Sequence, residues 1–158
     1  MAADNVACRV CDAVHGVTPG GVLLEHPLWH VAHMAPGALI RGAVLIRARR
    51  HVESFGALTP EELTSLGPIQ GLLDRALTQA LSAAKVYFVA FGEGAPHVHV
   101  LALPRYADMP AGDGVATLGD VMTDRKYAIA PAAAEDTAAI LRTAIRGMIE
   151  VRPERASG

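Results

Sequence analysis

The sequence predicts an α+β domain: an antiparallel sheet of about five strands, a long helix after the third strand and a second helix near the C-terminal end. Two observations carry that prediction. Short apolar segments follow one another as strands, then a helix, then strands, then a helix, with only brief links between neighbouring strands. Brief links favour antiparallel pairing with the helices on one side. The chain also lacks a G-x-G-x-x-G run after a strand and the steady βα alternation of a doubly wound nucleotide-binding fold.

The N-terminal stretch, with Gly16, Pro19, Gly20 and Gly21, reads as an irregular arm. GVLLEH is a short first strand. In LWHVAHM, Trp29, Val31 and His33 alternate with His30 and Ala32, which makes a second strand paired with the first. Pro36 and Gly37 break the pattern. Ala43 to Arg47 form the third strand, which runs into a basic cluster ending at His51. The helix that follows is the best marked element. Thr59 is its N-cap, Pro60 takes the first helical position and Glu62 completes a capping box. Leu63, Leu66, Ile69, Leu72, Leu73, Ala76, Leu77 and Leu81 supply the apolar stripe, and Gly67 with Pro68 predicts a kink or interruption. KVYFVAF and HVHVLAL are two further strands joined through GEGAP, residues 106–126 read as loop, and AAAEDTAAILRTAIRGMIE is the C-terminal helix. No internal repeat or low-complexity linker divides the chain. Residues 1–158 therefore read as a single domain, with a core over about 6–108 and a C-terminal loop and helix over 109–158.

Composition removes several function classes. A chain that is 51% apolar and 19% charged folds. A net charge of −2 with 4% aromatics gives neither a basic face nor a stacking platform for nucleic acid. No apolar run reaches the ~18 residues needed to span a bilayer. The start, MAADNVACRV, lacks the basic and apolar regions of a signal peptide, so a cytoplasmic protein is expected. In that reducing compartment Cys8 and Cys11 stay unpaired, and their C-x-x-C spacing points to metal or redox chemistry.

The histidines of PHVHVLAL frame the chemistry. Alternation along a strand puts His97, His99, Leu101 and Leu103 on one side and Val98, Val100 and Ala102 on the core side. The two histidines then lie about 7 Å apart as ligands, catalysts or solvated groups. Cys8, Cys11, His51 and His97 offer two thiolates and two imidazoles, the composition of a closed tetrahedral zinc site. A redox dithiol is the rival, although no βαβ setting places Cys8 at a helix start. His15, His26, His30 and His33 read as surface or strand residues, His33 being the one that could exchange into the metal set. Trp29 reads as a packing residue and not a base stacker. Arg142, Arg146, Arg152 and Arg155 read as a solvated helix face and tail.

The run PHVHVLALPRY resembles the signature of the histidine triad family, in which His-x-His-x-His lies between a proline and Pro-Arg. Upstream pieces follow in the family's order: the C-x-x-C, a strand ending in RARRHV, a capped helix from LTPEE and a strand leading into a Gly-rich turn. The similarity covers about residues 6 to 108 and is greatest to bacterial members of the dinucleoside polyphosphate hydrolase type. It implies that the middle histidine, His99, is the nucleophile. It implies that zinc is held by Cys8, Cys11, His51 and His97, and that two chains join their sheets in a homodimer. The implied reaction is nucleotidyl transfer: a neutral imidazole attacks the α-phosphate, a nucleotidyl-histidine forms, and water or another acceptor releases it. Backbone N–H groups of the Gly92–Ala95 turn are expected to serve the phosphate oxygens.

Two positions depart from the family pattern. Leu101 stands where the hydrolases carry a third histidine and the uridylyltransferase and phosphorylase relatives a glutamine. Leucine has no hydrogen bond to offer, and a lost general acid costs ~10²–10⁴ in rate. Glu93 stands where many relatives carry glutamine. It repels phosphate unless protonated or paired, with Arg49, Arg50 or Arg105 as candidate partners; it is also a candidate acid or base, or a solvated turn residue. The acidic residue that many relatives use to hold ribose is absent, Ala32 and His33 filling that region. The expected protein is a nucleotide phosphoanhydride or phosphoramidate hydrolase, or a nucleotidyltransferase, acting through His99. The alternative is a non-catalytic or repurposed nucleotide-binding protein with structural zinc.

Overall fold

A computed structural model describes residues 8–34, 40–112, 119, 122 and 124–150. The strands are β1 (Val22–Leu24), β2 (Trp29–His33), β3 (Val44–Ala48), β4 (Lys85–Val89) and β5 (His99–Arg105). They form one open antiparallel sheet in the order β1-β2-β3-β5-β4. Helices α1 (Arg9–His15), α2 (Pro60–Leu81) and α3 (Pro131–Glu150) are joined among the described residues by short 3₁₀ turns at Phe55–Ala57 and Arg125–Tyr127. The predicted break at Pro36 and Gly37 and the tail arginines Arg152 and Arg155 lie outside the described residues, as does part of the 106–126 loop.

The period-2 alternation sorts the sheet into two faces. Trp29 and Val31, then Val44, Ile46 and Ala48, then Val100 and Ala102 pack with Leu66, Ile69, Leu73 and Leu77 of α2 and with Leu141 and Ile145 of α3. Trp29 is fully buried and its Nε1–H donates to Ser65 Oγ at 2.9 Å, as a packing residue should. The opposite face is not open along its length. Leu101 and Leu103 are buried there with Ile40, Ala43 and Met109. Its end nearest β2 Trp29 and β5 His99 carries the polar side chains described below.

α2 starts as its sequence dictates: Glu62 N–H donates to Thr59 Oγ1 at 3.2 Å and Thr59 N–H to Glu62 Oε2 at 2.8 Å. The predicted interruption does not occur; α2 runs through Pro68. Pro68 and Thr64 both face solvent, so water can serve the carbonyl the ring leaves without a donor, while Leu66, Ile69 and Leu73 hold the buried face together. Leu63, placed in the stripe by spacing, is instead exposed. Two further expectations are corrected. The arm contains helix α1, and Arg142 is no solvated residue: its Nε donates to Val22 O at 3.0 Å and its Nη2 to Gly20 O, pinning α3 to β1 and the arm.

Candidate functional site

The end of β3 and the start of β5 are laced together. Val98 N–H donates to Val52 O at 2.6 Å and Ala48 N–H to Val98 O at 3.1 Å, which sets His51 and His97 side by side with ring centroids 5.3 Å apart. Arg50 steadies the same segment. Its guanidinium grips both Glu62 oxygens at 2.8 Å and Ala57 O at 2.6 Å, tying the residue before His51 to the start of α2. The Arg50 guanidinium holds the Glu62 carboxyl below its usual range. α1 supplies the remaining corner: Cys8 is its N-cap and Cys11 lies in its first turn. The C-x-x-C does therefore sit at a helix start, contrary to the sequence reading, but both thiols face histidines.

Cys8, Cys11, His51 and His97 each bring one ligand atom to within 4.8 Å of all the others. His97 Nδ1 lies 3.6 Å from Cys8 Sγ and 3.5 Å from Cys11 Sγ, and His51 Nδ1 lies 3.4 Å from Cys11 Sγ. A tetrahedral ion with Zn–S and Zn–N bonds of ~2.3 and ~2.0 Å separates such ligands by about 3.5 Å, so the donor set fits zinc. Each ring's far nitrogen is occupied. His97 Nε2–H donates to Ala48 O at 2.8 Å, and His51 Nε2 lies 3.4 Å from Glu53 Oε1. Both arrangements leave Nδ1 free to bind metal. Burial alone would raise the Cys8 thiol, but hydrogen bonds from the N–H groups of Cys11 and Val10 and from the Cys11 and His51 side chains together bring it down; burial and the neighbouring Cys8 raise Cys11. His33 is not part of this cluster. It pairs with Val44 at the far end of β3, about 13 Å away along the strand, where Nε2 accepts from Gly42 N–H at 3.0 Å.

His99 opens β5 and is partly exposed. Its Nδ1–H donates to His97 O at 2.7 Å. A carbonyl can only accept, so Nδ1 is committed to it and Nε2 is the nitrogen that carries the lone pair of the neutral ring. His99 separates two clefts. One, of about 310 Å³, is lined by Arg9, Arg47, Leu45, Leu101 and Phe91 among others. The second, of about 160 Å³, is lined by Glu53, Phe55, Gly92 and His97 among others. Gly92 holds a φ of +85° at the turn that brings the chain back to His97, a conformation that favours glycine. Leu101, 6% exposed, pairs with Leu45 and Val89 in an apolar row.

Glu93 is exposed in the turn between Gly92 and Gly94. None of its candidate partners reaches it: Arg49 Nε donates to His26 O, Arg50 binds Glu62, and Arg105 donates to Tyr106 O. Glu93→Gln is therefore expected to lower kcat by far less than the ~10²-fold loss of a missing general acid, which steady-state rates will check.

The sequence reading missed a polar row on the same face. His30, Arg47 and His99 are successive register partners on β2, β3 and β5. Arg47 Nη1 donates to His30 Nδ1 at 3.2 Å, and His30 Nε2–H donates to Thr18 Oγ1 at 3.0 Å. Burial, then the Arg47 and Arg49 charges, pushes His30 down to about 4 from 6.5. The unfolded chain thus takes up a proton that the folded chain refuses. This contribution is full above pH 6.5 and is lost as pH falls toward 4, by about 3 kcal/mol. Thermal midpoints at pH 7 and 4.5 are expected to differ less for His30→Gln than for the wild type.

No protein-family model matches the chain, and no curated sequence does. Solved structures do match. A zinc-bound histidine triad family protein from Mycobacterium smegmatis superposes with a TM-score of 0.67 at 18% identity, over 91% of this chain and 96% of that one. A hypothetical histidine triad nucleotide-binding protein from Sulfolobus tokodaii gives 0.69 at 15%, over 96% and 100%. Diadenosine triphosphate hydrolase from Plasmodium falciparum gives 0.60 at 12%, over 83% and 80%. With its five-stranded antiparallel sheet, long α2 and C-terminal α3, this chain has the histidine triad fold.

Proposed function

We propose that the chain is a histidine triad protein that hydrolyses or transfers nucleotides at the α-phosphate through a covalent nucleotidyl-His99. The observation that carries this reading is the 2.7 Å bond from His99 Nδ1–H to His97 O, which makes Nε2 the lone-pair nitrogen of the neutral ring on a residue that lines both clefts. Nε2 attacks phosphorus, the bond to the leaving group breaks, and water or another acceptor then displaces the histidine. Backbone N–H groups of the Gly92–Ala95 turn are candidates to hold phosphate oxygens. Cys8, Cys11, His51 and His97 would hold zinc through two Sγ and two Nδ1 atoms. Bound there, the ion supplies a structural clasp and no open coordination position. The resemblance supports a homodimer, and reduced cysteines fit a cytoplasmic protein. No helix among the described residues is long and apolar enough to cross a membrane.

The enclosed Leu101 favours a second reading, in which nucleotide binds and is not turned over. One panel separates the two. Dinucleoside polyphosphates, nucleoside phosphoramidates and nucleotide sugars are incubated with wild type and His99→Ala, and products are read by mass spectrometry. Products with wild type alone support catalysis through His99. Products with both proteins refute it. Binding without any product favours the second reading.

A further inference from the structure

We infer that Arg47 is the anion-binding residue of the cleft beside His99, and that it suits the site to substrates whose leaving group departs as an anion. The selectivity rests on the reading of His99 as nucleophile; the anion-binding role does not. Arg47 and His99 are register partners on adjacent strands, so their side chains leave the same face of the sheet with Cβ atoms about 5 Å apart.

The guanidinium is oriented without being neutralised. Its hydrogen-bond partner, His30 Nδ1, belongs to an imidazole whose other nitrogen donates to Thr18 Oγ1, so His30 accepts as a neutral ring. Ion pairs among the described residues join Arg50 to Glu62, His51 to Glu53 and Lys126 to Asp124; none involves Arg47. Among the described residues no carboxylate lines the 310 Å³ cleft, and the exposed Arg9 adds a second cation. A partly buried charge in an apolar wall of Leu45, Leu101 and Val89 is costly without a counter-ion. A phosphate group in the cleft would supply that counter-ion, and the volume lies at the lower end of small-molecule sites.

The neighbouring row decides the leaving group. When His99 Nε2 forms its bond to the α-phosphorus, the electron pair of the breaking bond must go to the departing atom. In a phosphoanhydride it goes to a phosphate oxygen, which is stable as an anion and which Arg47 N–H groups can bind. In a phosphoramidate it goes to an amine nitrogen, which needs a proton. Leu101 has none to give, and a guanidinium holds its protons at any ordinary pH. The pair Arg47 and Leu101 thus favours anhydrides over amidates.

The test compares wild type with Arg47→Met and Arg47→Lys. Turnover of diadenosine tetraphosphate and adenosine 5′-phosphoramidate is measured as kcat/KM, and binding of ADP and of adenosine by calorimetry. Wild type is expected to prefer the anhydride. Arg47→Met is expected to lose ~10²-fold on the anhydride and much less on the amidate, with weaker ADP binding and unchanged adenosine binding. Arg47→Lys is expected to recover part of the ADP affinity, and it serves alone should Arg47→Met not fold. Equal losses on both substrates, or a wild-type preference for the amidate, would overturn the selectivity. Unchanged ADP affinity in Arg47→Met, or in Arg47→Lys where that serves alone, would overturn the anion-binding role. If wild type turns over neither substrate, the reading of His99 fails and the selectivity falls with it; ADP binding then decides the role of Arg47 by itself.

Discussion

Cys11→Ser and His51→Ala are each expected to leave the protein without stoichiometric zinc and to lower its thermal midpoint by about 10 °C. Helix α1 has seven residues, too few to be stable alone, and the cluster of Cys8, Cys11, His51 and His97 is its main tether to the loop after β3 and the turn before β5. Arg9 adds one 3.3 Å bond to Gly94 O. Zinc at a thousand times its dissociation constant contributes about 4 kcal/mol. In a domain of this size that corresponds to roughly 10 °C. Removing one ligand also strands buried groups, because His97 is only 1% exposed. Elemental analysis and calorimetry check both halves. Full zinc content in Cys11→Ser, or an unchanged midpoint in a zinc-free variant, would contradict the assignment.

The second large effect concerns rate. His99→Ala is expected to remove at least ~10³-fold of kcat while leaving zinc content and the thermal midpoint near those of the wild type. The asymmetry follows from position. His99 is partly exposed on the cleft side of β5, whereas the core against α2 and α3 is built from the opposite face. Its imidazole contributes one bond, to His97 O, so little structure depends on it. Steady-state rates with a phosphoanhydride, set beside calorimetry of the same preparations, check the separation of activity from stability.

Much of this architecture was legible where local chemistry decides it. The capping box of Thr59 and Glu62 marked the start of α2 to the residue, and strand alternation sorted Trp29, Val31, Val100 and Ala102 onto the core face. The grouping of Cys8, Cys11, His51 and His97 was readable because ligand chemistry limits which side chains can share a metal. Long-range packing hid the rest. Helix α1 is too short to carry a periodic signal and takes its shape where its cysteines meet residues forty or more positions away. Pro68 promised a break that the buried stripe on the other side of α2 overrides. The row of His30, Arg47 and His99 depends on the register of three strands, and no local spacing reports it. The register also excludes His33 from the cluster and buries Leu101 between Leu45 and Val89.

The central claim is that His99 Nε2 bonds to phosphorus, and it is tested most directly by looking for that bond. Wild type is mixed with a dinucleoside polyphosphate, quenched within the first turnovers under alkaline conditions that preserve a phosphoramidate, and weighed intact before peptide mapping. The account predicts a mass increase of one nucleoside monophosphate on the peptide carrying His99, absent from His99→Ala. Turnover by His99→Ala, or an adduct on any other residue, would contradict it.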